Sequence, residues 1–145
     1  MEQIAKQFIA VRAMITNEDD QILVIRESDE YQGGAGHSKY DFPGGKVKLG
    51  ESLADALSRE VEEETGLIIT ANELVWVDEW RPVVKGEQIQ IFGVFFLCKP
   101  KSSLVIKLSA DHDDYRWISP DNPDSLSLIR ETENALRALV KKTKS

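Results

Sequence analysis

The 145 residues are 41% hydrophobic and 30% charged, with a net charge of −7 and a single cysteine. That length suffices to bury a core and suits one domain, residues 1–145, with the composition of an ordinary soluble globular protein. The acidic surplus argues against a general nucleic-acid-binding surface, because phosphate backbones recruit basic proteins.

The longest apolar runs, such as Ile91 to Cys98, fall far short of the ~20 residues a membrane helix needs, so no membrane association is expected. Met1 to Lys6 mix charge and polarity, unlike a secretory leader. Cys98 has no partner for an internal disulfide and lies in an apolar run. It is expected to be a buried thiol in a protein of the reducing cytoplasm. The negative charge leaves two readings open: solubility, or acidic side chains that collect cations to bind an anionic substrate.

In chain order, Phe8–Ile15 and Gln21–Ile25 read as strands joined as a hairpin through the polar turn Asn17-Glu18-Asp19-Asp20. Ser28–Tyr40 reads as a loop, and Asp41–Gly50 adds Pro43, Gly44, Gly45 and Gly50. Ser52–Thr65 is the clearest helix. Leu53, Ala54, Leu57 and Val61 make its apolar stripe, Ser52 and Asp55 resemble a capping box, and Gly66 stands at the C-terminal cap position. Strands are then expected at Leu74–Trp80, Gln88–Cys98 and Tyr115–Ile118. A last amphipathic helix spans about Asp124 to Val140, burying Leu128, Ile129, Leu136, Leu139 and Val140. Strands interleaved with helices imply a layered α/β domain.

The chemistry concentrates in Gly45–Leu67, GKVKLGESLADALSREVEEETGL. At ~100° per residue, Glu60, Glu63 and Glu64 fall on one side of the helix and Glu62 on the other. Glu60 and Glu64 border the apolar stripe and therefore face the body of the protein. Crowded inward carboxylates repel one another, are costly to desolvate, and lie at the helix end where the macrodipole disfavours negative charge. A hard cation such as Mg²⁺ or Mn²⁺ relieves all three burdens. A solvated acidic helix face is the alternative.

The segment matches the pattern G-x5-E-x7-R-E-U-x-E-E-x-G-U, U being aliphatic, at Gly45, Glu51, Arg59, Glu60, Val61, Glu63, Glu64, Gly66 and Leu67. At background residue frequencies a chance match is rarer than roughly one in ten million. The chain thereby resembles the Nudix hydrolases. Tyr40-Asp41-Phe42-Pro43-Gly44-Gly45 is similar to that family's lead-in to its box, and Ser109–Trp117 to a further family segment.

The resemblance implies an αβα sandwich around a mixed sheet and a metal-dependent pyrophosphohydrolase. Its metal, Mg²⁺ or Mn²⁺, would be held by Glu60 and Glu64, with Glu63 assisting and the Gly45 carbonyl joining. Arg59 would pair with Glu51 and orient the cluster. A water activated by metal or carboxylate would attack phosphorus in line. The general base stays open among Glu64, Glu63 and, from the loop before Trp117, Asp114 or Asp113. His112 and His37 read as loop residues, His112 as a hydrogen-bonder.

The implied partner is a nucleotide-type small molecule. Arg26, Lys39, Tyr40 and Arg81 are candidate substrate contacts, each with ordinary surface or packing roles as the alternative. Trp76, Trp80 and Tyr31 could stack a base but are better explained as packing. Pro82 resembles a proline of ADP-ribose-hydrolysing members by its spacing from the box. The chain's small size is equally similar to that of MutT-like enzymes acting on nucleoside triphosphates, oxidised ones included. A non-catalytic nucleotide or ADP-ribose sensor is the alternative function, and an intact box argues against it. Whether the chain forms a homodimer is not legible.

Overall fold

The computed structural model describes residues 3–28, 39–123 and 126–144. Ten elements follow along the chain: β1 (Ile4–Ile15), β2 (Ile22–Glu27), β3 (Tyr40–Asp41), β4 (Gly44–Lys46), α1 (Leu53–Thr65), β5 (Ile69–Trp80), β6 (Val83–Val84), β7 (Glu87–Pro100), β8 (His112–Ile118) and α2 (Arg130–Lys144). One sheet runs β4-β1-β7-β5 with β6 added on β7, and a second runs β3-β2-β8. β1 and β7 are parallel and the other pairs antiparallel, so the sheet system is mixed, as expected.

The β1–β2 hairpin expected from the polar turn does not form as such. Asn17 Oδ1 accepts from the amides of Asp19 and Gln21, closing the turn. Only the Thr16–Ile22 bridge then joins the two strands. Beyond it β1 pairs with β4 and β7 while β2 pairs with β3 and β8. Each strand finds longer partners elsewhere, and the splay between them opens a cleft.

Both faces of these strands are covered, which explains their nearly continuous apolar sequences. Val11, Ala13, Ile15, Leu23 and Ile25 pack with Ala56, Leu57 and Val61 of α1. Met14, Ile22 and Val24 point the other way, into a cluster with Ala135, Leu136 and Leu139 of α2. A helix on each side of the sheets gives the expected αβα sandwich. Cys98 is fully buried, and burial pushes its thiol up to about 12, leaving it inert at neutral pH. No helix among the described residues is long and apolar enough to cross a membrane.

α1 is bounded as its sequence implies. Ser52 Oγ accepts from the Asp55 amide, and Gly66 closes the helix in the left-handed conformation at φ +74°. Its buried face differs from expectation, being Ala56, Leu57, Val61 and Thr65, while Leu53 and Ala54 are exposed. Leu53, in the first turn, instead lines an open surface cavity with Phe8, Val47 and Phe92. α2 also begins later than expected, at Arg130. Ser127 to Ile129 are recruited instead by Tyr40: its amide donates to the Ser127 carbonyl and its carbonyl accepts from the Ile129 amide. Leu128 is buried through this strand-like bridge rather than through a helical stripe, and Ile129 and Val140 are only partly buried.

Candidate active site

The floor of the cleft is α1 against β4. Short β4 hydrogen-bonds the middle of β1, setting Gly44 opposite Arg12 and Gly45 opposite Val11. Glu60 and Glu64, one helical turn apart, lie over this strand with side chains 16% and 17% exposed. Glu64 Oε1 accepts from the Gly44 amide at 2.7 Å. A Cβ at residue 45 would stand 2.5 Å from the Glu60 carboxyl carbon, so only glycine lets that carboxylate settle on the backbone. Glu63 stays at the rim with its side chain 57% exposed, and Glu62 faces solvent. The inward cluster is thus two carboxylates with a third at its edge.

Arg59 ties this floor together. Its Nε donates to Glu51 Oε2 at 2.7 Å and Nη2 to Glu51 Oε1 at 3.0 Å, a two-pronged clasp. Nη1 donates to Glu60 Oε1 at 3.0 Å, and Nη2 also reaches the Lys46 carbonyl at 3.1 Å. One guanidinium therefore spans the loop, the helix and the strand. Its hydrogen bonds hold the Glu51 carboxyl down to about 2. The Arg59–Glu51 pairing expected from the sequence is present, and the Glu60 contact adds a direct link to the carboxylate floor.

The walls come from strands distant in sequence. Arg12 enters from β1, its Nε 3.3 Å from Asp41 Oδ2. Asp41 is itself held, Oδ1 accepting from the Phe42 amide at 2.7 Å and from the Thr132 hydroxyl of α2. From β8, His112 Nε2 lies 3.6 Å from Glu64 Oε2, with its Nδ1 3.2 Å from Ser109 Oγ. Together with Lys39, Lys46 and Glu27 these groups line a 310 Å³ cavity over Glu60 and Glu64. Burial pushes the Glu64 carboxyl up to about 8, against the lowering by the Gly44 amide and Arg12. Burial likewise lowers the His112 imidazole below its ordinary value.

Arg12 and Asp41 went unnoticed in the sequence reading. The available signal was an arginine in the middle of an apolar strand, where a charge persists only with a partner. His112 does hydrogen-bond within its loop, as expected, and also reaches the cleft. Lys39, a candidate substrate contact, lines the cavity.

Arg26, Tyr40, Asp113 and Asp114 are brought together elsewhere. Strand alternation places Arg26 with Val24 on the α2 side of β2, whereas Ile25 and Glu27 line the cleft. Asp114 is opposite Arg26 in register. It accepts from the Tyr40 hydroxyl and from Arg116 Nε at 3.0 Å, while Arg26 pairs with Asp113 at 2.7 Å and lies 5.6 Å above the Tyr40 ring. The Tyr40 hydroxyl and Arg116 hold the Asp114 carboxyl below its ordinary value, which suits a strand-pairing anion better than a proton acceptor. Arg81 is engaged by Glu79 at 2.9 Å and does not line the cavity. Tyr31 and His37 lie outside the described residues. Trp80 is partly packed into the α2 cluster and also lines a second cavity beside the cleft, together with Pro82, while Trp76 donates to Asp78.

Among the described residues no set of three or more His, Cys, Asp or Glu side chains forms a ready-made metal cage. Two largely covered carboxylates over a glycine backbone nevertheless supply hard oxygen donors. They fit a divalent cation that keeps open positions for water and substrate oxygens better than one enclosed by protein.

Comparison with known proteins agrees with this geometry. A family model described as NUDIX domain matches residues 6–140. The chain is 27% identical over 139 residues to nucleoside triphosphatase NudI of Escherichia coli, covering 91% of this chain and 96% of that protein. It is 33% identical over 103 residues to the 8-oxo-dGDP phosphatase NUDT18 of Mus musculus, covering 71% of this chain and 28% of that one. The crystal structure of a MutT protein from Methanosarcina mazei superposes with a TM-score of 0.83 at 27% identity, over 99% of this chain and 100% of that chain. The chain spans less than two thirds of the length of several curated relatives it matches.

Proposed function

The chain belongs to the Nudix hydrolase family, and from that premise we propose that it hydrolyses a phosphoric anhydride in a nucleoside-triphosphate-type substrate in the cytoplasm, using Mg²⁺ or Mn²⁺. The observation that carries this reading is the pair of largely covered carboxylates, Glu60 and Glu64, laid over Gly44–Gly45 beneath a cavity lined by Arg12, Lys39 and Lys46. Anionic floor and cationic walls together suit a phosphate chain accompanied by a divalent ion. The names of the Escherichia coli and mouse relatives favour nucleoside phosphates over ADP-ribose.

Glu60, Glu64 and the Gly45 carbonyl would hold the cation, with Glu63 assisting from the rim. When bound, the cation neutralises phosphate charge and polarises the phosphoryl oxygen. Arg59 keeps Glu60 aimed at the site by anchoring it to Glu51 and the Lys46 carbonyl. Arg12, oriented by Asp41, offers a guanidinium to the phosphate oxygens. Of the carboxylates considered as general base, Glu64 is the one that lies inside the cleft, against the Gly44 amide and facing His112. Asp114 is committed to Tyr40 and Arg116 away from the cleft, which supports Glu64 as the base in this reading.

The test is a release screen across dNTPs, oxidised dNTPs, ADP-ribose and dinucleoside polyphosphates with Mg²⁺ or Mn²⁺. A nucleoside monophosphate and pyrophosphate are expected from triphosphates. Turnover confined to simple phosphomonoesters would overturn the assignment.

A further inference from the structure

Thr132 lies in the first turn of α2 and is completely buried. A buried hydroxyl costs stability unless it is hydrogen-bonded. Within a helix a threonine commonly satisfies itself on a carbonyl of the preceding turn, as Thr65 of α1 does on the Val61 carbonyl at 2.7 Å. Thr132 stands too early in α2 to have a preceding turn. Its hydroxyl donates instead to Asp41 Oδ1 on β3, 91 residues away in sequence.

The same Asp41 oxygen accepts from the Phe42 amide at 2.7 Å, while Oδ2 lies 3.3 Å from Arg12 Nε. Two donors on one oxygen fix the plane of the carboxylate and present its second oxygen to the arginine. With one donor fewer, the broad terminal torsion of an aspartate lets Oδ2 swing away. Among the described residues Asp41 is the one carboxylate paired with Arg12. A guanidinium carries five N–H donors in a rigid plane, so a partner at Nε sets the direction of the other four. Arg12 lines both the carboxylate cleft and the 590 Å³ cavity beside it, whereas Thr132 lines neither.

We propose that Thr132 is a positioning residue for phosphate: through Asp41 it holds the Arg12 guanidinium in the orientation that receives the phosphate chain. The inference rests on the role given to Arg12 in the reading above. Helix α2 thereby sets phosphate affinity from a residue that does not touch the ligand. A Thr132–Asp41 bond that only docked α2 on β3 would have no consequence specific to Arg12, and that difference is measurable.

Calorimetric binding of inorganic pyrophosphate in the presence of Mg²⁺ measures it without requiring turnover. Thr132→Val removes the hydroxyl at nearly constant shape and should weaken binding by about tenfold, while Thr132→Ser stays within about twofold of wild type. Arg12→Ala should weaken binding by about thirtyfold or more. Thr132→Val introduced into the Arg12→Ala protein should then add less than about twofold, because the group that the hydroxyl positions is gone. A loss of the same size in both backgrounds would overturn the positioning role, since the hydroxyl would then act on the fold alone. So would full affinity in Thr132→Val, a Thr132→Ser protein as weak as the valine variant, or a wild type that does not bind pyrophosphate at millimolar concentration. The serine and valine comparison holds even if the arginine variant does not fold. Coupling of Thr132 to Arg12 in a protein that hydrolyses no nucleotide would overturn the hydrolase reading and uphold the positioning role. Hydrolysis of nucleotides with the two substitutions independent in pyrophosphate binding would do the reverse.

Discussion

Glu64→Gln should stabilise the metal-free protein, and by an amount that grows with pH. The Glu64 carboxyl sits at about 8 in the fold against an ordinary 4.5, because burial removes its hydration and Glu60 and Asp41 add negative charge nearby. A carboxyl raised in the folded state contributes its full stability below the unfolded value and loses it as pH climbs through the folded one. Between 4.5 and 8 the unfolded chain is free to ionise while the folded one must hold the proton. At about 1.4 kcal/mol per pH unit, the burden is about 1 kcal/mol at pH 5.5, about 3 at pH 7 and between about 4 and 5 at pH 8.5. Glutamine keeps the acceptor for the Gly44 amide and has no proton to lose. Urea unfolding of both proteins across that range, with chelator present, measures the difference directly. At pH 7 the gap corresponds to a rise in melting temperature on the order of 10 °C. A difference that stays constant across the range would refute the reasoning, because it would mean that Glu64 is not desolvated.

Metal should reverse the preference: millimolar Mg²⁺ or Mn²⁺ is expected to raise the melting temperature of the wild type and to raise that of the Glu64→Gln protein much less. In turnover, Glu64→Gln should lose on the order of 10²-fold or more, while Glu62→Gln, on the solvent face, stays within about a few-fold of wild type. Equal losses would show the helix phase to be wrong. Gly45→Ala should weaken metal binding by about tenfold or more in calorimetric titration, since the new methyl group must displace the Glu60 carboxylate. Asp114→Asn should leave kcat within about a few-fold of wild type and cost about 1 kcal/mol of stability, because it weakens the Tyr40 and Arg116 hydrogen bonds outside the cleft. A loss of turnover beyond about 10²-fold would return Asp114 to the candidates for the base.

The sequence was most informative where structure is local. α1, its caps, the Arg59–Glu51 clasp and the opposite facing of Glu60 and Glu62 all depend on spacing within one helix and its approach loop. Glu63 shows the limit of that logic: its angular position is right, yet its side chain stays at the rim, held toward Arg59 where nothing covers it. Arg26 and Asp114 show another. Both stand on strands flanking the cleft, but which face a strand residue takes depends on a register that pairing partners distant in sequence decide. That Arg12 meets Asp41 was not legible for the same reason, since β1, β3 and α2 must assemble before those side chains come together.

The parallel pairing of β1 with β7 reaches from Ile4↔Gln88 to Ile15↔Cys98. During synthesis the first strand therefore leaves the ribosome long before its central neighbour exists. At about 5–20 residues per second, its apolar side chains wait several seconds for the partner that will cover them. Sheets closed by such distant pairs also form slowly once the chain is complete, because the intervening loop must be closed before the pairing stabilises it. A strand whose second half is almost wholly buried in the fold is thus the one exposed longest during birth. That places the demand for chaperone protection at the amino-terminal strand, far from the helix that carries the carboxylates.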